Sequence, residues 1–513
     1  MKSLPSRHLK VNGIWFDQCR EHENIDKFIG KNPFSKYYKD LEKEFWFFAC
    51  HVPVPGYVYC DKDVGFLKDF RTPERYREYK DCGLNVLYLQ ANNNGYNGED
   101  FETSELKKNL DDAKKGGIDK VIVTDMRLHA LSAMKEPIVG ENKAFKTYQD
   151  LVEYVKACVK PYKDYDNGLV VGLMLRDEPT VEQLPQACMV FKAITDAWKG
   201  CFVDLCLLPF DNGIKGLYDN VTELDSVESA YENYVDNYFK WTGAKHIMMD
   251  SYPLRVIPAK NGGYLHHILT SHFRGLQMLT AACKKYGATL CVCSNTCELS
   301  ADREGKDLML EWPNEDQMYW QNNAYMIFGA KQYEYYTYWS KTINSKGCYH
   351  VDKKAFISLD GERTEMYYFM QRMHQEMQRF AKVFMNFEYQ KVQYFKKERA
   401  YFSTNYLNFD ESAEDFGNLS FVKVVDQRHS CVSMITELKD QTNDQVMYAV
   451  FNPDHPANGE YYDNSCTITL EFDSRFRAVE IWYKGEMITM GLNNGKLSIS
   501  LDAGYAAYIL PYL

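Results

Sequence analysis

Gly168-Leu-Val-Val-Gly-Leu-Met-Leu-Arg-Asp-Glu-Pro179 is an apolar run that stops on two adjacent carboxylates, Asp177 and Glu178. An apolar run with β-branched residues near its start and a glycine flank reads as a strand covered on both faces, and hence as a parallel strand. In an α/β barrel the reacting groups sit at the carboxyl ends of the strands. Glu178, backed by a proline that halts the strand, is therefore a candidate proton donor. Asp177 beside it favours retention of that proton, because two close negative charges raise one pKa. The competing use of Asp177 is to cap a helix that begins in Glu182-Gln-Leu-Pro-Gln-Ala187.

Outward from this run, short apolar strands alternate with longer amphipathic segments. Strands are expected at Phe45–Ala49, Asn85–Gln90, Lys120–Thr124, Leu169–Leu175, Phe202–Leu208, His246–Met249, Thr289–Cys293 and Tyr333–Tyr338. They recur every 33 to 49 residues, roughly the length of one strand, one helix and two loops in a parallel crossover. Helices are expected between them, for example over Thr147–Lys160 and Gln183–Trp198. The pattern predicts a mixed α/β chain built on a (β/α)8 TIM barrel. An open doubly wound sheet is less favoured, since no Gly-rich phosphate loop follows the first strands.

Residues 364–384 place Met366, Met370, Met373 and Met377 at helical spacing, which reads as a core-facing stripe on a long helix closing the barrel. Beyond it, short alternating strands take over at Gln445–Phe451, Ser465–Phe472, Ala478–Tyr483, Lys496–Leu501 and Ala506–Leu510. They are broken by turn-rich pieces such as Leu492-Asn-Asn-Gly495, as in an antiparallel sandwich. The expected organisation is an extension packed on the barrel over 1–40, a barrel over 41–388 and a β-sandwich over 389–513.

Composition bounds the partners. The chain of 513 residues carries a formal charge of −11 and no basic cluster, so nucleic acid is not expected as a partner. Fifteen cysteines scattered without a framework fit a reducing compartment, and the start lacks an apolar leader core; a soluble, cytoplasmic protein with no membrane span is expected. Aromatic residues make up 15% of the chain, led by 39 Tyr, and serve cores or sugar stacking. Cys291, Cys293 and Cys297 lack a second ligand pair, and no His-Glu-x-x-His or Gly-x-x-x-x-Gly-Lys occurs. Neither a metal nor a cofactor is expected.

Asp177-Glu178-Pro179, Asp250-Ser-Tyr-Pro253, Gly329-Ala330 before Tyr335-Tyr-Thr-Tyr-Trp339, and Leu359-Asp-Gly-Glu-Arg-Thr-Glu-Met-Tyr367 resemble the clan A glycoside hydrolases, nearest the β-galactosidase-like branch and its uncharacterised gut-bacterial relatives. The resemblance covers roughly residues 40 to 510. It departs from the family at Asp177, where the usual residue is an Asn that contacts the sugar 2-hydroxyl.

The resemblance implies glycoside hydrolysis of a small oligosaccharide or glycoside, with Glu178 as general acid/base. That chemistry needs a protonated carboxyl at the leaving oxygen and a second carboxylate across the sugar ring. The family's nucleophile ends strand seven, where this chain reads Thr289-Leu-Cys-Val-Cys-Ser-Asn-Thr-Cys-Glu298. Glu298 falls a few residues late. Asp250 is the alternative, and Glu334 a third choice that simple alternation turns outward if Trp339 points inward. Asn92, Asp125, Tyr252, Trp339 and Asp177 are expected to line the same mouth and bind the sugar. The rival reading is a carbohydrate-binding protein on a degenerate barrel, suggested by the missing strand-seven Glu.

Overall fold

A computed structural model of the chain describes residues 7–19, 34, 36–39, 43–50, 58–59, 71–89, 95–210, 226–258, 264–269, 271–300, 308–343, 351–352, 354–358, 361–395, 419–428, 433–440, 442, 445–457 and 463–512. Eight parallel strands form one sheet: β1 (Trp46–Ala49), β2 (Leu87–Leu89), β3 (Val121–Val123), β4 (Val170–Asp177), β5 (Phe202–Leu207), β6 (His246–Asp250), β7 (Thr289–Asn295) and β8 (Gln332–Tyr336). From β2 to β8 each strand pairs with the next, and β8 pairs with β1. The Val86 amide donates to Phe47 O at 3.2 Å, which joins β1 to the start of β2 and closes the barrel. Asn85 reinforces the seam, accepting from Phe47 N at 2.8 Å and donating to Phe45 O at 2.9 Å. All eight expected strands are present.

The crossover helices are α1 (Pro73–Asp81), α2 (Glu105–Lys115), α3 (Met126–Ser132), α4 (Tyr148–Lys163), α5 (Leu184–Ala197), α6 (Val227–Thr242), α7 (His272–Tyr286) and α8 (Glu315–Ile327). Their starts are written locally: Thr147 and Asp150 form a capping box at α4, as Asn314 and Gln317 do at α8. The Met-striped segment is α9 (Glu365–Phe384), and all four methionines are buried in the core.

The C-terminal part is two antiparallel sheets. One has the order β9 (Glu388–Phe395), β11 (Ser433–Lys439), β12 (Val446–Phe451), β17 (Ala506–Tyr512), β14 (Ala478–Tyr483) and β15 (Glu486–Gly491). The other joins β10 (Val422–Arg428), β13 (Cys466–Phe472) and β16 (Lys496–Leu501) to the N-terminal strands Leu9–Val11 and Ile14–Trp15. The five strands expected here are found; β9, β10, β11 and β15 were not read from sequence. In the N-terminal segment, Leu9 pairs with Leu501 and Val11 with Ile499. It covers the edge of β16, which would otherwise present unpaired backbone groups.

Candidate active site

The barrel interior is an apolar plug topped by carboxylates. Phe48, Tyr88, Ile122, Met174, Phe202, Cys206, Met248, Cys291 and Cys293 pack into a cluster separate from the outer core. Cys291 and Cys293 thus behave as small hydrophobes. Gly172 lets β4 approach β5 closely, since a Cβ there would lie 2.4 Å from Phe202 O.

The end of β4 departs from simple alternation. Met174 pairs with Asp204, but Arg176 pairs with Leu205 and Asp177 with Cys206, so one extra residue is inserted as a β-bulge. Without it, Arg176 would follow Met174 onto the inner face and Asp177 would face the helices. The bulge reverses this and sets Asp177 beside the inward Cys206. The bulged Leu175 carbonyl is held by His129 Nδ1 at 2.8 Å and Ser132 Oγ at 3.2 Å.

Glu178 takes a left-handed conformation, φ +43°, unusual for a side chain of this size. Its amide donates to Cys206 O at 2.9 Å, and Tyr234 OH donates to Pro179 O at 2.7 Å. Such strained residues, held by their surroundings, concentrate at functional sites. Asp177 does not cap the next helix, because α5 starts at Leu184 behind Gln183.

Asp177 and Glu178 are both exposed, yet surrounding protein desolvates both. Burial and the neighbouring Asp177 charge push the Glu178 carboxyl up to about 7, although its interaction with Asp250 opposes the rise. Asp250, at the end of β6, is pushed well above the carboxylate range by burial and then by Glu178 and Asp177. Its Oδ1 is buried without a hydrogen-bond partner. The Cys206 thiol lies beside both Asp177 and Asp250 and opposes the rise of each. Repulsion from neighbouring carboxylates adds to burial in favouring the protonated forms of Glu178 and Asp250.

Two further acids lie one inward position short of their strand ends. Asp204 accepts from Tyr88 OH and is pushed up to about 7 by burial. Glu334 accepts from Cys50 Sγ at 2.5 Å and is raised well above its ordinary value by burial. Alternation counted back from Trp339 turned Glu334 outward. The regular strand ends at Tyr336, so the count does not carry across, and Gln332, Glu334 and Tyr336 face inward.

The other expected site residues are distributed unevenly. Tyr252 packs on the inner cluster with its ring 5.9 Å from that of Tyr336. Asp125 is consumed structurally: its carboxylate accepts from Arg127 N and Nε at 3.0 Å, Arg127 Nη2 at 2.6 Å and Tyr162 OH at 3.0 Å. Those four bonds use the acceptor capacity of a carboxylate. Trp339 is buried in the outer core, with the Arg75 guanidinium 5.5 Å from its ring centre. Glu298 is half-buried between β7 and the Leu299–Ser300 strand. Asn92 lies outside the described residues. Asp204, Tyr88, Cys206 and Tyr336 were missed; the legible sign was Asp204, a lone acid within an apolar strand. Among the described residues no group of three or more His, Cys, Asp or Glu could hold a metal ion.

No family model matches the chain, and no curated protein matches it. Solved structures similar to it include an Anoxybacillus α-amylase, 10% identical, TM-score 0.44, over 94% of this chain and 99% of that one. A family 1 β-glucosidase from Thermotoga maritima is 9% identical, TM-score 0.38, over 65% and 99%. A β-galactosidase from the psychrophilic Marinomonas ef1 is 11% identical, TM-score 0.35, over 66% and 60%.

Proposed function

We propose that the chain is a glycoside hydrolase acting on a small carbohydrate, with Glu178 as general acid/base. The observation that carries this is Glu178 itself. It is water-accessible at the carboxyl end of β4, and its proton affinity is raised to about 7. An acid in that range can give a proton to a leaving oxygen at neutral pH and take one from water afterwards. Asp250 shares protons with Glu178 and orients it, while the Tyr252 and Tyr336 rings supply apolar surface beside it. The negative net charge speaks against nucleic acid, and the free thiols among the described cysteines suit the cytoplasm.

The second reading, a sugar-binding protein on a degenerate barrel, is favoured by one observation: β7, Thr289–Asn295, contains no carboxylate. A panel of 4-nitrophenyl glycosides decides between them. Hydrolysis by the wild type, lost by at least about a hundredfold in Glu178→Gln with an unchanged melting temperature, supports the enzyme. Sugar binding without turnover in either protein supports the binder.

A further inference from the structure

The turn Lys484-Gly485 joins β14 to β15, with Tyr483 opposite Glu486 and both turn residues in the left-handed region, φ +48° and +71°. Such turns favour Asn or Gly, and a lysine there is uncommon. The turn lies against α9: a Cβ on Gly485 would meet Glu376 O at 2.4 Å. Both turn residues line a cavity between the barrel helices α8 and α9 and the sandwich strands β14 and β17, and none of the strand-end acids reaches it. The centres of water molecules can move through about 40 Å³ of this cavity, and its free space together with the opening is about 470 Å³. That admits a few waters or one small ring, not an oligosaccharide.

The lining is matched to one ligand chemistry. The half-buried Lys484 ammonium lies over the rings of Tyr319 at 4.0 Å, Tyr505 at 5.0 Å and Tyr483 at 5.9 Å, and among the described residues no carboxylate pairs with it. Burial lowers its proton affinity, as befits a cation short of a counter-ion. The acids around it are engaged elsewhere: Glu376 accepts from Tyr319 OH at 2.6 Å, Asp316 from Tyr505 OH, and Glu315 from Arg372 at 3.0 Å. Further walls are the thioethers and rings of Met373, Met377, Phe380 and Trp482, and sulfur against an aromatic ring is a favourable contact. Three buried lining residues also carry polar atoms without a partner: Asn322 Oδ1, Tyr483 OH and Tyr508 OH. Asn322 Nδ2 is spent on Met373 Sδ at 2.9 Å and Tyr335 OH at 3.4 Å, so the amide oxygen still calls for a donor. We propose that this cavity binds a small aromatic carboxylate bearing a ring hydroxyl. The carboxylate pairs with Lys484, the ring lies among the thioethers, and the hydroxyl meets the unpaired polar groups. The site is independent of the glycosidase reading.

The test uses the full chain in isothermal titration calorimetry with 4-hydroxybenzoate, benzoate and the neutral 4-hydroxybenzyl alcohol. The expected result is saturable binding of 4-hydroxybenzoate, tighter than either of the others, with a matching rise in melting temperature. Lys484→Met keeps an apolar stem over the tyrosines and removes the charge. It should weaken 4-hydroxybenzoate by about tenfold or more and leave the affinity for the alcohol unchanged. Asn322→Leu should abolish the advantage over benzoate without lowering the melting temperature, which the loss of a merely structural amide would lower. Absence of saturable binding at millimolar concentration, as when the cavity holds only water, overturns the proposal. So does wild-type affinity for the alcohol or for benzoate equal to that for the hydroxy acid, a comparison that needs no variant, and so does undiminished binding in Lys484→Met. Each of these results leaves the glycosidase reading standing.

Discussion

Glu178 holds its proton to about pH 7 because surrounding protein penalises its charged form and Asp177 repels it. The kcat/KM of a cleaved glycoside should therefore fall as pH rises through about 7, measured against a neutral-leaving-group substrate. Asp177→Asn removes the repelling charge, so the falling limb of the residual activity should move to lower pH; a limb that stays in place contradicts the coupling. Asp204 makes a separate prediction. Its folded value of about 7 exceeds the ordinary 3.8, so the neutral form is favoured on folding. The stability this contributes is full below about pH 4 and lost as pH rises through about 7. Urea unfolding of Asp204→Asn should show a weaker loss of stability over that window. Asp177, Glu178 and Asp250 were legible because an acid closing an apolar strand is conspicuous. Asp125, equally conspicuous, is an internal brace, since Arg127 and Tyr162 reach it only once the strand and two helices are assembled.

At the scale of the element, β4 shows how one inserted residue changes what a strand presents. Deletion of Leu175 should remove the bulge while leaving Arg176 opposite Leu205 and Asp177 opposite Cys206, so that Asp177 still faces inward. Gly172→Ala tests the tight approach of β4 to β5. Its Cβ would meet Phe202 O at 2.4 Å, a backbone atom that cannot swing away. A loss of about 1–3 kcal/mol in chemical denaturation is expected, the range for overpacking a filled interior. The bulge escaped the sequence because Leu175 is an ordinary strand residue. The pairing offset appears only when β5 lies alongside. β8 taught the same lesson from the other direction, since alternation counted from Trp339 ran past the end of the regular strand.

Across the whole molecule, barrel and sandwich share one apolar seam. Phe380 of α9 stacks on Trp482 at 5.0 Å and on Tyr508 at 4.9 Å, and Trp320 Nε1 of α8 donates to Pro453 O at 2.9 Å. Phe380→Ala should destabilise the chain by about 3–5 kcal/mol and, in calorimetry, separate the unfolding of the two parts. A single transition of unchanged midpoint would show that the seam carries little. The amino-acid sequence by itself determined the eight strands, the long methionine-lined helix, five of the sandwich strands and the acids at the ends of β4 and β6, because hydrophobic period and abrupt polar stops are local properties of the chain. Tertiary structure alone decided that Leu9–Val11 completes a sandwich sheet, that Asp177 faces inward, that Asp250 meets Glu178, and that Glu334 is buried against a thiol. Each of these depends on which strand lies beside which and in what register, and register is set by packing between residues far apart in the chain.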